Sequence, residues 1–563
     1  MEFIKPATSL SEKKTTRYPP PCKIVDNVVI GEEAPVYREC VGIGELVYEQ
    51  LSGNPEFVGL IDTATERQAT FAEIKDRSVR CALWLRSRGI QPGDIIGIAT
   101  HNHLDCVIPL LGCLYVGALF YPMHFKLNIH DSRYFIALTK PKIIFANVDM
   151  ADILAQAVTE EDLKIELVTF GEAIGCENFD KIINNPDQDA AAVDEFRCRP
   201  IASPDEIGLI VCSSGSTGLC KASMYSHSAL INNMLYDKSF AEKDDKMIMW
   251  LSSFRWISGA ILPLRSIYFH KTWIICPEYK EELLCQIIEK YNVTWMLLQS
   301  CLTTSVLKYG FFHKYRLPSL KKLIIGGAYM KPYLFEAVIK ALPHTKVLFT
   351  YGTSEVGGVY TLQREGDKIG SSGYILSNSQ LKVIAVDTGR LLGPCELGEL
   401  LLKSPCMMTR YYNNSQAMKE TLDKDGWIHT GDLGYYDTDG EIYVCDRIKE
   451  IIKVRGCYVF PNEIESVLQS HPAVRKVAVV RVKNDLDDEH PLAFVTKIPG
   501  KEVTAEELVK LVADKLEDHK HLRAGVQFLD ELLYTDTGKI ARKRLRELAE
   551  RLMVDPIPAE YTE

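Results

Sequence analysis

Short apolar runs separated by helix-like segments make up most of this chain. Between residues 55 and 445, five β-prone runs recur: Ile95–Ile98, Lys142–Phe145, Lys246–Trp250, Lys322–Ile325 and Lys346–Phe349. Runs as apolar as these are typical of parallel strands buried on both faces, and their alternation with helices predicts an α/β body. Ligands of such sheets bind at loops beyond the carboxyl ends of the strands.

The pattern changes after residue 445. Pro461 is expected to begin a helix, and Lys476–Val480 to form a strand. Thr504–Glu507 is a capping box, which predicts the start of a second helix. The residues expected to face inward are Ile464, Val467, Leu468, Leu508, Leu511, Val512 and Leu516. The expected organisation is a lead-in over residues 1–44, a large multi-layer α/β domain over 45–445 and a small α+β domain over 446–563.

One apolar segment, Cys106–Phe125, contains no Asp, Glu, Lys or Arg and is long enough to span a bilayer. It also contains residues that interrupt regular structure, at Pro109, Gly112, Gly117 and Pro122. These residues divide the segment into a helix, a turn and a strand. We therefore expect a buried helix–strand pair and no transmembrane segment.

Composition narrows the class of protein. The 563 residues are too many for one ordinary core, and 46% hydrophobic with 25% charged residues is typical of soluble globular proteins. The formal net charge of −10 argues against general nucleic-acid binding, which requires a basic face. None of these features determines an oligomeric state.

Cysteine usage and the two termini bear on the compartment. Sixteen Cys residues are scattered without a C-x-x-C pair, so free thiols in a reducing compartment are expected rather than a zinc site or a disulfide scaffold. The N-terminus lacks the apolar core of a signal peptide, and the C-terminus, AEYTE, is not a peroxisomal S-K-L address. The expected location is the cytoplasm, with the peroxisome left open.

The most informative loop is SSGSTGLCK, between the apolar run Ile207–Val211 and the helix-like segment His227–Tyr236. Its glycines permit close backbone approach, its hydroxyls donate hydrogen bonds and its lysine supplies a point charge, which together suit nucleotide phosphates. It lacks the terminal Gly-Lys-Ser/Thr of a Walker A loop. Taken alone, it is equally consistent with a polar surface loop. The candidate phosphate ligands are Ser213, Ser214, Gly215, Ser216, Thr217, Gly218 and Lys221.

Two further loops, Gly326–Ala328 and Tyr351–Glu355, are expected at the same edge of the sheet. Together with the first loop, four more blocks occur in one fixed order: TYGTSE at 350–355, GWIHTGDLGYYDTDGEIYVCDR at 426–447, KEIIKVRGCYVFPNEIE at 449–465 and TDTGKIARKRL at 535–545. The chain thereby resembles the adenylate-forming superfamily, which includes acyl-CoA synthetases, 4-coumarate–CoA ligases, beetle luciferases and the adenylation domains of peptide synthetases. The resemblance covers roughly residues 45–550 and is strongest to the insect luciferase-like acyl-CoA ligases.

The resemblance implies a ligase that uses ATP, Mg²⁺ and coenzyme A. A carboxylate attacks the α-phosphorus of ATP and expels pyrophosphate, and a thiol then attacks the acyl-adenylate and expels AMP. The implied substrate is a small carboxylic acid, either fatty or aromatic. Catalysis of this kind consists mostly of positioning and charge neutralisation. The alternatives are an adenylate-forming enzyme with an acceptor other than CoA, and a catalytically weak acyl- or nucleotide-binding protein.

The resemblance also assigns nucleotide and metal contacts. Glu355 matches the metal-binding carboxylate, which as a hard oxygen ligand suits Mg²⁺. Tyr351 is expected to stack on adenine, with Gly326, Gly327 and Ala328 below the ring. The remaining residues of that block are Thr350, Gly352, Thr353 and Ser354, the last of which stands where most relatives have Thr.

A carboxylate and a guanidinium are implied at the ribose. Asp432 matches the group that accepts both ribose hydroxyls, which is apt because a carboxylate only accepts hydrogen bonds. Arg447 matches the Arg that also reaches the ribose, and Asp446 marks the expected hinge. The alternative interpretation of the acid and the arginine is a surface salt bridge.

Two lysines are implied on opposite faces of a mobile C-terminal domain. Lys539 matches the Lys that bridges the carboxylate and the α-phosphate during adenylation. Lys453 and Gly456 match the face that turns inward for the CoA step, where Gly456 would line the pantetheine tunnel. Rotation about a hinge lets one site perform two reactions. Because Arg542–Arg544 is basic, a solvated tail lysine is the alternative for Lys539.

The chain departs from the family pattern at positions that bear on the phosphate loop and the acid. Cys220 replaces the usual Pro of the phosphate loop. In FRWISGA, which includes Ser258, Arg255 and Trp256 stand where beetle luciferases have two His residues, and Trp256 is expected at the gate of the acyl tunnel. Tyr329 replaces a Pro near the expected acyl pocket. Arg255 either faces an anionic part of the substrate or points outward to solvent.

Overall fold

The computed structural model describes residues 19–185, 190–213, 220–236, 240, 242–277, 279–484, 486–534 and 540–554. Six of the predicted site residues lie outside the described residues: Ser214, Gly215, Ser216, Thr217, Gly218 and Lys539.

Strands and helices alternate up to Arg447. The strands are β1 (Cys22–Val25), β2 (Val28–Gly31), β3 (Val58–Asp62), β4 (Gln68–Thr70), β5 (Ile95–Ala99), β6 (Leu119–Pro122), β7 (Ile143–Asn147), β8 (Glu166–Phe170), β9 (Glu177–Asn178), β10 (Ile207–Ser213), β11 (Lys221–Ser226), β12 (Met247–Trp250), β13 (Thr272–Ile275), β14 (Trp295–Gln299), β15 (Lys322–Gly326), β16 (Lys346–Thr353), β17 (Gly358–Leu362), β18 (Tyr374–Ile375), β19 (Gln380–Ile384), β20 (Leu391–Leu392), β21 (Gly398–Lys403), β22 (Arg410–Tyr411), β23 (Ile428–Tyr436) and β24 (Ile442–Arg447). The helices are α1 (Ile43–Gly53), α2 (Phe71–Ser87), α3 (Ile108–Val116), α4 (Ile129–Thr139), α5 (Ala151–Glu160), α6 (Phe179–Ile183), α7 (Ala190–Asp194), α8 (His227–Tyr236), α9 (Ile257–Tyr268), α10 (Glu281–Tyr291), α11 (Ser300–Lys308), α12 (Phe311–Lys314), α13 (Pro332–Ala341) and α14 (Ser415–Thr421), with a 3₁₀ turn at Val148–Met150.

These strands form three sheets. An eight-stranded sheet has the order β22-β11-β10-β6-β5-β7-β8-β9, and a nine-stranded sheet has the order β18-β17-β16-β15-β14-β12-β13-β3-β4. The inner strands of both are parallel. Apolar residues of α2, α3 and α9 form one core with residues of both sheets, so these helices lie between two sheets. The third sheet, β1-β2-β19-β21-β23-β24 with β20 beside β19, is antiparallel. The predicted multi-layer α/β architecture is confirmed.

All five predicted strands are present, as β5, β7, β12, β15 and β16. The apolar segment Cys106–Phe125 contains α3 and β6, as expected from its breakers. Gly117 ends α3 with a φ of +80°, in the left-handed region that favours glycine. Within the described part of the chain, no helix is both long enough and apolar enough to cross a membrane.

Two of the predicted loops are organised differently. The phosphate loop does not join a strand to a helix; it joins two antiparallel strands, with Ser213 paired to Lys221. The motif Tyr351–Thr353 is not a loop either, because β16 continues through it and pairs with β17. In both cases a further strand pairs with the outer side of the hairpin: β22 lies beside β11, and β18 lies beside β17. A local sequence pattern does not predict such a neighbour, because the two strands are distant along the chain.

The C-terminal part forms a separate five-stranded sheet. Its elements are a 3₁₀ turn at Ile448–Glu450, β25 (Ile452–Val454), β26 (Cys457–Val459), α15 (Pro461–Gln469), β27 (Val474–Asn484), β28 (Asp488–Lys497), α16 (Ala505–Ala513), a 3₁₀ turn at Asp518–Lys520, β29 (Val526–Phe528) and α17 (Arg542–Val554). The strand order is β26-β25-β28-β27, with β29 beside β28. Both predicted helices and the predicted strand are present, and the Thr504 capping box is formed. The smaller α+β domain is confirmed as a fold unit with its own core.

Candidate active site

A carboxylate, a guanidinium and a phenol meet where β16, β23 and β24 lie together. Asp432 on β23 is directly opposite Arg447 on β24, and Arg447 Nε lies 2.7 Å from Asp432 Oδ1. The Tyr351 hydroxyl on β16 donates to Asp432 Oδ2 at 2.6 Å. The three residues predicted at the ribose and adenine are therefore brought together.

The charges of this group are mutually stabilised. Asp432 is 3% exposed, so its pair with Arg447 is not the surface salt bridge considered from sequence. The Asp432 carboxylate raises the pKa of the Arg447 guanidinium. Burial, and then the same carboxylate, raises the pKa of the Tyr351 phenol. A buried carboxylate held by two donors is oriented before any ligand arrives.

A second polar group links Glu355 to the phosphate loop. The Tyr411 hydroxyl on β22 donates to Glu355 Oε1 at 2.9 Å. Lys221 Nζ, at the start of β11, lies 5.1 Å from the centre of the same Tyr411 ring. Tyr411 therefore lies between the predicted metal carboxylate and the predicted phosphate lysine.

The turn after β15 is shaped by close backbone approach. A Cβ at Gly326 would lie 2.6 Å from Thr350 Cγ2, so a side chain is excluded there. Gly327 has a φ of +82°, which only glycine adopts readily. The Ser300 hydroxyl donates to the Ala328 carbonyl at 2.7 Å. Gly326, Gly327 and Ala328 thus form a narrow ledge without side chains beyond Cβ.

Residues 350–354 carry a polar edge beside this ledge. Thr350 is buried, and its hydroxyl donates to the Thr361 carbonyl at 2.6 Å. The Thr353 hydroxyl is buried and has no hydrogen-bond partner in the described part of the chain. Gly352 admits no Cβ, because the Gly358 carbonyl occupies that position. The Ser354 carbonyl accepts from the Tyr225 hydroxyl. An orphaned hydroxyl beside Glu355 fits a site for polar ligand atoms.

Ser258 lines a mostly apolar cavity of about 40 Å³ behind this edge. The other lining residues are Asn233, Ile257, Ile261, Leu262, Arg265, Trp295, Leu297, Ile324, Gly357, Gly358, Val359 and Leu362. Two of its polar side chains are engaged with each other and with the backbone: Arg265 donates to Asn233 Oδ1 at 3.2 Å, and the Asn233 amide donates to the Gly357 carbonyl. The rest of the lining is mostly apolar.

Of the other residues predicted at the acid, Trp256 precedes α9 and is partly exposed. Arg255 and Tyr329 are not among the cavity residues. Tyr329 is 43% exposed. Arg255 is 2% exposed and contacts Cys220 and the Phe135 ring, so the alternative that it points outward to solvent is wrong.

Lys453 and Gly456 lie on a hairpin of the C-terminal sheet. Arg455 and Gly456 form its two-residue turn, with φ values of +50° and +77°. This turn type requires positive φ at both positions, which explains the glycine. Lys453 and Gly456 are exposed, and a Cβ at Gly456 would have no neighbour within 4 Å. The structure thus does not bring them to the nucleotide residues.

The two parts of the chain touch through polar contacts. Lys331 Nζ, before α13, donates to the Glu465 carbonyl at 2.6 Å and to Gln469 Oε1 at 3.3 Å. Burial lowers the pKa of Lys331 to about 7. At the predicted hinge, Asp446 accepts from the backbone amides of Arg447 and Asn462, and burial raises its pKa to about 6.

Glu355 is a candidate metal ligand on chemical grounds. Within the described ranges, no group of three or more His, Cys, Asp or Glu side chains is arranged to hold a metal. Mg²⁺ in nucleotide sites is held by one or two carboxylates together with substrate phosphates and water. A single oriented carboxylate beside Lys221 and Tyr411 fits that pattern.

Comparison with known sequences decides the family. The sequence model described as AMP-binding enzyme matches residues 47–412, and the AMP-binding enzyme C-terminal domain matches residues 463–539. The chain belongs to the AMP-binding enzyme family. This confirms the resemblance identified from the motif order.

Relatives of this AMP-binding enzyme include ligases and luciferases. The chain is 30% identical to 4-coumarate–CoA ligase 3 of Oryza sativa subsp. japonica, over 86% of this chain and 88% of that one. It is 29% identical to luciferin 4-monooxygenase of Photuris pensylvanica, over 90% and 95% of the two chains. Among solved structures, the luciferase-like enzyme of the nonluminescent Zophobas morio mealworm matches with a TM-score of 0.70 at 29% identity, covering 75% of this chain and 99% of that one. An anthranilate CoA ligase in complex with anthranoyl-AMP shares the fold, with a TM-score of 0.83 at 20% identity over 93% and 99%.

Sequence reasoning missed three residues of this AMP-binding enzyme's site. Tyr411 orients Glu355, Ser300 holds the Gly-Gly-Ala turn, and Tyr225 holds the Ser354 carbonyl. None lies in a recognised motif, and each acts across a distance of at least 28 residues in sequence. The alternation of KASMYS at 221–226 was the only local signal that Tyr225 lies on a strand.

Proposed function

We propose that this protein is an ATP- and Mg²⁺-dependent carboxylate–CoA ligase. The observation that best supports this proposal is the group formed by Tyr351, Asp432 and Arg447. A buried carboxylate that two donors orient is suited to accept the hydroxyls of a nucleotide ribose. The Oryza sativa relative is a 4-coumarate–CoA ligase, which supports CoA as the acceptor.

The nucleotide is proposed to bind along one edge of the third sheet and the end of β16. Asp432 accepts the ribose hydroxyls, with Arg447 beside it, and Tyr351 stacks on adenine above the ledge at Gly326–Ala328. The ledge supports this placement because it has no side chain beyond Ala Cβ, so a planar ring can lie against the backbone.

Charge on the phosphates is neutralised from two sides. Lys221 supplies a cation at the end of the phosphate loop, and Glu355 would hold Mg²⁺ with the orientation set by Tyr411. The ion would supply Lewis-acid stabilisation of the phosphoryl oxygens. The remaining chemistry requires no protein nucleophile, since the substrate carboxylate attacks the α-phosphorus.

The cavity at Ser258 is proposed to hold the acid. Its lining is mostly apolar, and its volume of about 40 Å³ is well below the roughly 150 Å³ that accommodates benzene in an engineered cavity. A single ring therefore requires side chains such as Ile257 and Leu262 to move, and a long alkyl chain requires more. These dimensions favour a compact hydrophobic or aromatic acid over a long-chain fatty acid.

The two half-reactions are assigned to two faces of the C-terminal domain. Lys539 is proposed to act in adenylation, and Lys453 with Gly456 in transfer to CoA. The exposed β25–β26 turn supports a rotation, because Lys453 and Gly456 reach the nucleotide only if the domain turns. The peptide linking the two sheets, Ile448–Ile451, is proposed as the hinge together with Asp446 and Arg447.

Acid-dependent exchange of pyrophosphate into ATP tests this function. A panel of aromatic acids and fatty acids of increasing length is assayed with and without CoA. We expect exchange with compact hydrophobic acids and consumption of CoA with the same acids. Exchange without CoA consumption would instead identify an adenylate-forming enzyme with another acceptor. Absence of exchange with every acid would leave the binding-protein alternative standing and reject the proposal.

A further inference from the structure

Arg255 is a buried cation whose contacts are unusual. Its Nη2 lies 2.9 Å from Cys220 Sγ, and its guanidinium carbon lies 5.2 Å from the centre of the Phe135 ring. Nε and Nη1 are buried and have no hydrogen-bond partner among the residues that the structure describes. Within the described residues, the nearest group able to carry a negative charge for Arg255 is therefore the Cys220 sulfur.

The cost of burying a cation decides the state of that sulfur. An unpaired ion removed from water is strongly destabilised unless an opposite charge lies beside it. A guanidinium within hydrogen-bond distance of a thiol favours the thiolate for the same reason. A guanidinium stays protonated in proteins, so only loss of the Cys220 proton would balance the charge of Arg255 within this contact.

A second sulfur lies beside the first. Cys212 on β10 is opposite Ala222 on β11, and Cys220 immediately precedes β11, so the two cysteines flank the base of the same hairpin. The Cys220 side chain packs against the cluster that contains Cys212 and interacts with it, while the Cys212 thiol donates to the Tyr121 hydroxyl at 3.4 Å. Burial raises the pKa of Cys212 well above its usual value. The pair therefore consists of a protonated thiol and a sulfur beside a cation.

We propose that Cys220 is a thiolate activated by Arg255, that peroxides and other small electrophiles modify it, and that Cys212 captures the oxidised sulfur as a disulfide. In the first step the thiolate attacks one peroxide oxygen, an S–O bond forms, the O–O bond breaks, and the leaving hydroxide takes a proton to become water. In the second step Cys212 attacks the Cys220 sulfur, an S–S bond forms, and the S–O bond breaks with loss of water that carries the Cys212 proton. Two thiols and one peroxide thus give one disulfide and two waters.

The position of the pair links its oxidation to the nucleotide. Cys220 is bonded to Lys221, and its carbonyl accepts from the Tyr134 hydroxyl at 2.7 Å. A disulfide between residues 212 and 220 would close the phosphate loop at its base and displace the following lysine. This consequence for nucleotide binding rests on the proposed function, whereas the reactivity of the thiol does not.

Alkylation kinetics test the activation directly. The reduced full-length protein is treated with limiting iodoacetamide, and labelling of each cysteine is followed by peptide mass spectrometry from pH 6.5 to 8.5. We expect Cys220 to react about ten-fold faster at pH 7 than the exposed Cys40 and Cys395, with a rate that is nearly independent of pH. Arg255→Gln should slow Cys220 about ten-fold and restore a steep rise with pH, while Arg255→Lys keeps the charge and the reactivity.

These measurements separate reactivity from folding and from catalysis. Protection of the buried Cys81 from labelling reports whether a variant retains its fold, and the rate of Cys220 relative to Cys40 in the unchanged protein remains a test if Arg255→Gln unfolds. A Cys220 rate at or below that of Cys40, or one unchanged in a folded Arg255→Gln variant, would overturn the proposal. None of these readouts needs an active ligase, so failure of the proposed function is recognised separately by the exchange assay.

Equimolar hydrogen peroxide tests the role of Cys212. We expect the peptides that contain Cys212 and Cys220 to lose two hydrogens together through a disulfide. In Cys212→Ser the oxidation should stop at a Cys220 sulfenic acid, which dimedone traps. A sulfenic acid that persists in the unchanged protein would show that Cys212 is not the capturing thiol and would reject the pair.

Discussion

The group formed by Tyr351, Asp432 and Arg447 differs from the β25–β26 hairpin in burial and in the number of its contacts. Asp432 is buried and held by Tyr351 and Arg447, three residues on neighbouring strands. Lys453 and Gly456 are exposed on a turn with open space around it. The first arrangement is formed without a ligand, whereas under the proposed function the second contributes only after the domain that carries it rotates. Such a site would separate fixed recognition of the nucleotide from a movable contribution to each step.

The largest effect is expected for Lys539, in the C-terminal domain that is proposed to rotate. Lys539→Ala should reduce acid-dependent pyrophosphate exchange by about 1,000-fold, because the cation that bridges the carboxylate and the α-phosphate is lost. Transfer of a supplied acyl-adenylate to CoA should be unchanged, and Lys453→Ala should show the reverse pattern. Separate assays of the two half-reactions provide the measurement.

Lys543→Ala is the matched control for the tail, because this exposed lysine lies on α17 four residues further along. It should leave both half-reactions unchanged. Equal losses of both half-reactions in Lys539→Ala would remove the assignment of one lysine to one step.

The next largest effect is expected for the buried carboxylate of Asp432. Asp432→Asn leaves the shape of the side chain but removes the charge that pairs with Arg447 and accepts the ribose hydroxyls. Since hydrogen bonds to a charged group contribute about 1.5–3 kcal/mol each, we expect exchange to fall about 100-fold. Both half-reactions should suffer, because both use the nucleotide.

Asp437→Asn, which removes a carboxylate paired with Lys368 just beyond the same strand, is the control for stability. It should retain nearly full activity. If Asp432→Asn were no more impaired than this control, the ribose assignment would be wrong.

A smaller effect is expected at Tyr411, which orients Glu355 without touching the nucleotide. Tyr411→Phe keeps the ring near Lys221 but removes the hydroxyl that donates to Glu355. The Mg²⁺ concentration for half-maximal exchange should rise about ten-fold, with little change at saturating Mg²⁺. Tyr412→Phe, on the neighbouring residue, should not shift the titration; an equal shift there would argue against a metal at Glu355.

The smallest effect concerns the contact between the two parts. Lys331 has a pKa of about 7 when α15 covers it, compared with an ordinary value near 10.5, so docking releases a proton between these pH values. For this lysine, raising the pH from 7 should therefore favour the docked arrangement by up to ten-fold per pH unit, and lowering it below 7 should give no further change. Energy transfer between fluorophores on the two parts measures this equilibrium. Lys331→Met should weaken the pH dependence and leave the part contributed by Lys308, which donates to the Val474 carbonyl and whose pKa burial lowers to about 8. Lys340→Met, on the exposed face of α13, should leave the pH dependence unchanged.

Local patterns were sufficient for most elements but not for their pairing. The β-prone runs at Ile95 and Lys322 form strands, because strands buried on both faces are apolar throughout. The Pro and Gly residues in Cys106–Phe125 separate α3 from β6, because they restrict or free the backbone locally. The predicted strand before the phosphate loop and the predicted helix after it are present as β10 and α8, but the strand β11 between them was missed. The strand β11 exists because β10 and β22 lie on either side of it, and those neighbours are distant in sequence.

The same division holds within the candidate site. The order of motifs identified Asp432, Arg447 and Glu355 as a set, since their chemistry is carried by side chains within long recognisable blocks. Tyr411 was missed because its contribution is a single hydroxyl that reaches Glu355 across 56 residues of chain. Arg255 was expected either to face the substrate or to point to solvent; it is buried beside Cys220, a contact that no local pattern indicates.

By itself, the sequence determined the family, the α/β body with a smaller C-terminal unit, and the residue types that serve a nucleotide. Charges, hydroxyl groups and glycines are properties of the residues themselves, so the sequence alone is sufficient to identify them. Only the tertiary structure decided which polar groups contact one another: Asp432 with Arg447, Glu355 with Tyr411, and Arg255 with the Cys220 sulfur. These contacts depend on which strands become neighbours. Burial makes the contacts of the charged side chains important for stability, because removing an unpaired charge from water costs free energy.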